Sequence, residues 1–149
     1  MSCKTDATFL PLRVSVGPND VVIPEAMSSN TQSDSALKFI LDKYHRCCEE
    51  HKRCHPPRQL TPSTYPSRLL DVGTQHQSLI VLRDTGSFRE EKYVCLSHCW
   101  GYIRPFTLNA KSHFALTNGI DAEALPKTFR DAIFITRLLC IRYIWIDSL

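Results

Sequence analysis

Five glycines in 149 residues leave little material for a glycine-rich phosphate loop. Neither G-x-G-x-x-G nor a Walker-type lysine loop occurs, and H-E-x-x-H and G-x-S-x-G are absent too. The most easily recognised nucleotide and hydrolase assignments are thereby excluded. Long apolar runs are missing as well: the best candidate, Phe134 to Ile146, is interrupted by Thr136, Arg137 and Arg142, far short of the roughly 20 apolar residues of a membrane span. No sign of charge dominates. Lys and Arg number 18 against 15 for Asp and Glu, and their scatter carries no specific nucleic-acid signature. The seven cysteines cannot all pair within the chain, and no secretory h-region precedes them, so reduced thiols in a cytoplasmic protein are the expectation.

What is present suits one globular domain. Apolar residues make up 43% of the chain, and a chain of this size buries roughly 68 to 70% of its unfolded surface. Residues 1–35, with Pro11, Pro18, Pro24 and a polar stretch from Ser28 to Ser35, read as a flexible arm. From Ala36 onward Leu37, Ile40, Leu41, Tyr44, Cys48 and His51 recur at three and four residues, the stripe of a helix capped by Ser33 or Asp34 and stopped by Pro56-Pro57. Arg68–Val72 and Ser78–Leu82 read as a hairpin. Tyr93–Ser97 is a further strand, ending in His98-Cys99-Trp100-Gly101. A loop with at most one short helix, near Ala110 to Leu116, follows. Pro126 or Thr128 then opens a helix with Phe129, Ala132, Ile133, Thr136, Leu139 and Cys140 on its apolar stripe, and strand Ile141–Ile146 comes after almost no loop. A strand, a long crossover with a helix and a second strand form a β-α-β unit, which predicts an α/β fold with a mostly parallel sheet and flanking helices. The chain stops as this strand exits, at Asp147-Ser148-Leu149, so residues 36–149 are expected to be the N-terminal part of a longer domain.

Three ordered blocks carry a family resemblance: Tyr93-Val94-Cys95-Leu96-Ser97-His98-Cys99-Trp100-Gly101, Leu125 to Ile133 with Thr136-Arg137, and Ile141 to Leu149. Together they resemble the heterokaryon incompatibility (HET) domain of filamentous fungi, and Cys47, His51, Cys54 and Arg68–Val72 look like the lead-in of many members. The resemblance implies intracellular signalling in non-self recognition and programmed cell death, through protein partners or self-association. A distant relation to Toll/interleukin-1 receptor (TIR) domains implies a TIR-like or Rossmann-like fold and, in a complete version, cleavage of a nicotinamide dinucleotide (NAD). His98 stands where the family pattern commonly has an aromatic residue. The later acidic blocks are missing from this sequence, so the short chain is expected to be inactive alone.

Two sets of residues are candidates for function. Ser97, Trp100, Gly101 and Asp147 follow two strands that should exit at one sheet edge, where ligands of open α/β sheets bind. Trp100 can stack, Gly101 can admit a close backbone approach, Ser97 can donate and Asp147 can accept. Against this, Trp100 can simply cover the edge, and Asp147 can pair with Arg130, Arg137 or Arg142. Cys47, His51 and Cys54, spaced by four and three, would face one side of a continuous helix and offer zinc-type ligands, although a closed structural site needs four. Small buried thiols and a packing histidine are the plainer reading. Cys95, His98 and Cys99 would need an orienting third group to make a nucleophile; a buried Cys95 beside a structural turn is the alternative. A noncatalytic interaction module, stabilised by metal at Cys47, His51 and Cys54, is the competing function.

Overall fold

The N-terminal helix forms where its cap and its stripe predict. In the computed structural model, which describes residues 30–51, 65–74, 77, 79–88, 91–99 and 106–149, α1 runs Asp34–Glu50. Ser33 is extended and its hydroxyl accepts the Ala36 amide at 3.3 Å, while Asp34 places negative charge in the first turn, where the helix dipole favours it. Only Ala36 of this helix is buried; Leu37, Ile40, Leu41, Tyr44 and Cys48 are half-buried. The helix ends at Glu50 with His51 donating its amide to the Cys47 carbonyl at 3.3 Å. Of the arm expected at residues 1–35, residues 1–29 lie outside the described residues, as does the Pro56-Pro57 stop; Asn30 to Ser33 form a turn closed by the Ser33 amide donating to Asn30 O at 3.0 Å, and Asp34 and Ser35 already belong to α1.

The chain divides into two compact units, Met1–Cys54 with α1, and His55–Leu149. The second unit holds β1 (Arg68–Asp71), β2 (Leu79–Asp84), β3 (Tyr93–Leu96), α2 (Ala110–Asn118), β4 (Ile120–Asp121), a 3-10 turn at Ala122–Ala124, α3 (Lys127–Leu138) and β5 (Tyr143–Ile146). The strands form one sheet in the order β3-β5-β1-β2-β4.

This sheet corrects the expected architecture. Only β3 and β5 run parallel, in the register Tyr93↔Tyr143 to Leu96↔Ile146; the β1–β2, β1–β5 and β2–β4 pairs are all antiparallel. The fold is α/β, but its sheet is mixed and mostly antiparallel, and the TIR-like or Rossmann-like sheet is overturned. The physical reason lies in the connections. A parallel pair requires a crossover of a dozen or more residues, which the 97–142 segment supplies to β3 and β5. The short 72–78 link can only return the chain as a hairpin, pairing Leu70 with Leu82. Strand β5 then enters between β3 and β1, opposite in direction to β1, and is held there by the Val72 amide donating to the Arg142 carbonyl at 2.9 Å.

Alternation along the strands makes two apolar faces. One carries Leu70, Ile80, Leu82, Ile144 and Ile146, packed with Leu116 of α2 and Phe129 and Ile133 of α3. The other carries Leu69 and Tyr143 with Tyr65, flanked by Phe88, Tyr93 and Trp145. Asn109 caps α2 reciprocally with Ser112. At α3 neither Thr128 nor any other side chain makes a cap hydrogen bond; Pro126 is the cap position. The almost absent loop after α3 is a Schellman closure. The Ile141 amide donates to Thr136 O at 3.1 Å and the Cys140 amide to Arg137 O at 3.0 Å, with Cys140 at φ 56°.

Candidate functional site

The parallel β3–β5 pair sets the candidate edge. Because Leu96 is in register with Ile146, the residues that follow each strand leave the sheet at the same end, and Ser97 and Asp147 are both exposed there. Trp100 and Gly101 lie outside the described residues. Val94 and Leu96 pack on the helix-covered core and Tyr93 on the opposite face, so alternation sends Cys95 and Ser97 to one side and His98 to the other. His98 accordingly meets α3: its ring stands edge-on to Phe129, 5.3 Å between centroids at 90°.

His98, considered from the sequence only beside Cys95 and Cys99, meets Asp147 instead. Its Nδ1 lies 3.5 Å from Asp147 Oδ1, with the imidazole side chain 11% exposed and the carboxylate 37% exposed. The geometry is an ion pair whenever the imidazole is protonated; Nδ1 is buried and makes no hydrogen bond. Asp147 reaches inward because residues 147–148 turn, closed by the Leu149 amide donating to Ile146 O at 3.0 Å. In the same turn the Ser148 carbonyl accepts the Leu108 amide at 2.8 Å, while its hydroxyl is buried and unpartnered. A carboxylate with an imidazole on its inner side and exposed on its outer side can accept a hydroxyl or N–H or pair with a cation. The signal available in the sequence was positional: two residues past each of two strands in register, a histidine and a serine beside an aspartate.

The arginines considered as partners of Asp147 are engaged elsewhere. Arg142 grips Asp71 through two hydrogen bonds of 2.8 Å. Arg137 donates to Val72 O at 2.8 Å and Gln77 O at 2.6 Å. Arg130 lies 3.3 Å from Glu123 Oε2 and donates to Glu123 O at 3.2 Å. The cysteine alternatives are also placed. Cys95 and Cys99 are exposed, not buried, and partial desolvation pushes the Cys95 thiol up, which opposes the thiolate a nucleophile requires. Cys140 is disulfide-bonded, a departure from the all-reduced expectation.

On α1, Cys47 is half-buried and His51 is exposed just beyond the last helical residue, so the pair does not lie on one continuous helix; Cys54 lies outside the described residues. Among the described residues no group of three or more His, Cys, Asp or Glu side chains is placed to hold a metal. No helix there is long and apolar enough to cross a membrane.

Compared with known proteins, the chain matches no curated protein and no solved structure. Residues 93–149, from the first residue of β3 through β5 to Leu149, match the family described as Heterokaryon incompatibility protein (HET).

Proposed function

We propose that the chain carries part of a HET-type signalling domain, acting in fungal non-self recognition and the cell-death response, and that it works through the edge where β3 and β5 end. The observation behind this reading is a coincidence of extent: the family match begins with β3 and runs past β5, the two strands in parallel register at whose common end His98 lies beside Asp147 and Ser97 is exposed. At that edge Asp147 is the recognising acceptor, His98 holds its carboxylate from the buried side, and the exposed Ser97 hydroxyl supplies a donor. Dinucleotide cleavage was implied by a likeness to TIR domains, whose sheet is parallel. With a mixed sheet in its place, the edge is read as a recognition surface for protein partners.

The test is expression in fungal cells of the native gene product that contains this chain, with viability and membrane integrity followed beside Asp147→Asn. That substitution keeps size and removes charge. The expected outcome is killing by the native protein, survival with the variant at equal expression, and no release of nicotinamide in either. Equal killing by both proteins sinks the role of the edge, and an inert native protein sinks the signalling role.

A further inference from the structure

The outer flank of α3 carries a second, unrelated surface. Arg130, Phe134, Arg137 and Leu138 recur at four, three and one residues and so share one helix face. Together with Glu123 from the 3-10 turn they line a groove of about 420 Å³ whose floor is the buried Ile133. None of these residues belongs to the β3–β5 edge.

Two features of this groove are uncompensated. Arg137 is fixed by two neutral carbonyls, Val72 and Gln77, and among the described residues it has no ion-pair partner; its partial burial lowers its pKa by desolvation alone. Among the described residues Arg130 has one carboxylate, that of Glu123, whose side chain is 80% exposed and so free to swing away. Between the two guanidiniums Phe134 is left 45% exposed. A bare anion would satisfy the charge and leave the phenyl ring wet. An apolar group alone would cover the ring and desolvate Arg137 further without a counter-charge. A ligand that answers both needs anionic and apolar groups on one face.

We infer that this groove binds an extended acidic peptide of a partner protein, with the pattern acidic-x-apolar-x-acidic. In an extended chain alternate side chains point the same way, and four residues span about 13 Å. Arg130 and Arg137 are separated by two helical turns, about 10 Å along the axis, and their head groups reach apart, towards Glu123 and Leu125 on one side and Val72 and Gln77 on the other. The central apolar side chain then lies on Phe134, and each carboxylate meets one guanidinium.

The probe is acetyl-Asp-Ala-Leu-Ala-Asp-amide, added to the isotope-labelled full chain and followed by two-dimensional amide NMR. The expected result is saturable shifts at residues 122–123 and 130–138 and at the Arg137 Nε–H, weakening as salt is raised. The matching peptide with Asn in place of Asp should bind about ten-fold more weakly, the loss of charge-assisted contacts. Phe134→Ser should weaken both peptides, whereas Arg130→Gln should weaken only the acidic one; the second variant serves if the first misfolds. Equal binding of the two peptides, shifts that map elsewhere, or no shifts at millimolar peptide would each overturn the proposal.

Discussion

Asp71 is 6% exposed and illustrates how single residues hold this sheet together. Burial alone would raise its pKa, but the bidentate bond from Arg142, the Gly73 amide at 3.1 Å and the charge of Arg83 outweigh it and hold the carboxyl below its ordinary value. A carboxylate whose pKa is lower in the folded state adds stability above its unfolded pKa and loses it as pH falls towards the folded value. Arg142→Met leaves a buried carboxylate short of donors and is expected to destabilise by about 2 kcal/mol near neutral pH. The urea midpoint measured from neutrality down through the carboxylate range should show this gap closing as the group protonates. A gap that stays constant at acid pH would remove Asp71 as its source. At the same scale His98 and Asp147 define the limit of sequence reading. Asp147 was identifiable from its position after a strand; its meeting with His98 was not, because that depends on the turn at 147–148 that follows β5.

At the scale of elements, the two ends of α3 differ in how they are made. Its start has no side-chain cap, but Phe129, 2% exposed and wedged against His98 and Phe106, anchors the first turns. Phe129→Ala is expected to cost about 3 to 5 kcal/mol, read from the chemical denaturation midpoint, and also to release His98, read as a change in that ring's NMR shifts. Its end places Cys140 at φ 56°, where a side chain costs about 1–2 kcal/mol and glycine costs little. Cys140→Gly, compared with the native chain under reducing conditions so that its disulfide does not contribute, should raise stability by about 1 kcal/mol. A lower urea midpoint for the variant would show that the turn carries no strain. Helix α2 depends on its cap more than on burial, with only Ser112 and Leu116 buried. Asn109→Ala should therefore cost about 1 kcal/mol, seen as faster hydrogen exchange of the 112–118 amides.

For the molecule as a whole, stability should be graded by position in the sheet. Strands β5 and β1 have neighbours on both sides, and Leu70 and Ile144, paired in register, are each at most 1% exposed. Their amides are expected to exchange most slowly, whereas α1, with one buried residue in 17, should exchange fastest among the helices. Native-state hydrogen exchange that protects α1 as strongly as β5 would contradict this. The local elements are legible in the residues themselves: Ser33 and the three-and-four spacing specify α1, two short apolar runs at Arg68–Val72 and Ser78–Leu82 on either side of a short link read as a hairpin, and the stripe from Phe129 to Thr136 specifies α3, because caps, turns and periodicity act within a few residues. The long crossover containing a helix favours a parallel β3–β5 pair, and the register has it so, but the extension of that reasoning to the rest of the sheet fails. Three pairings arise only on folding: β1 lies beside β5 in the opposite direction, Arg142 goes to Asp71 and not to Asp147, and His98 meets Asp147. Those pairings join residues distant in the chain, and several arginines and several strand edges were equally eligible until packing of the sheet against α2 and α3 selected one arrangement.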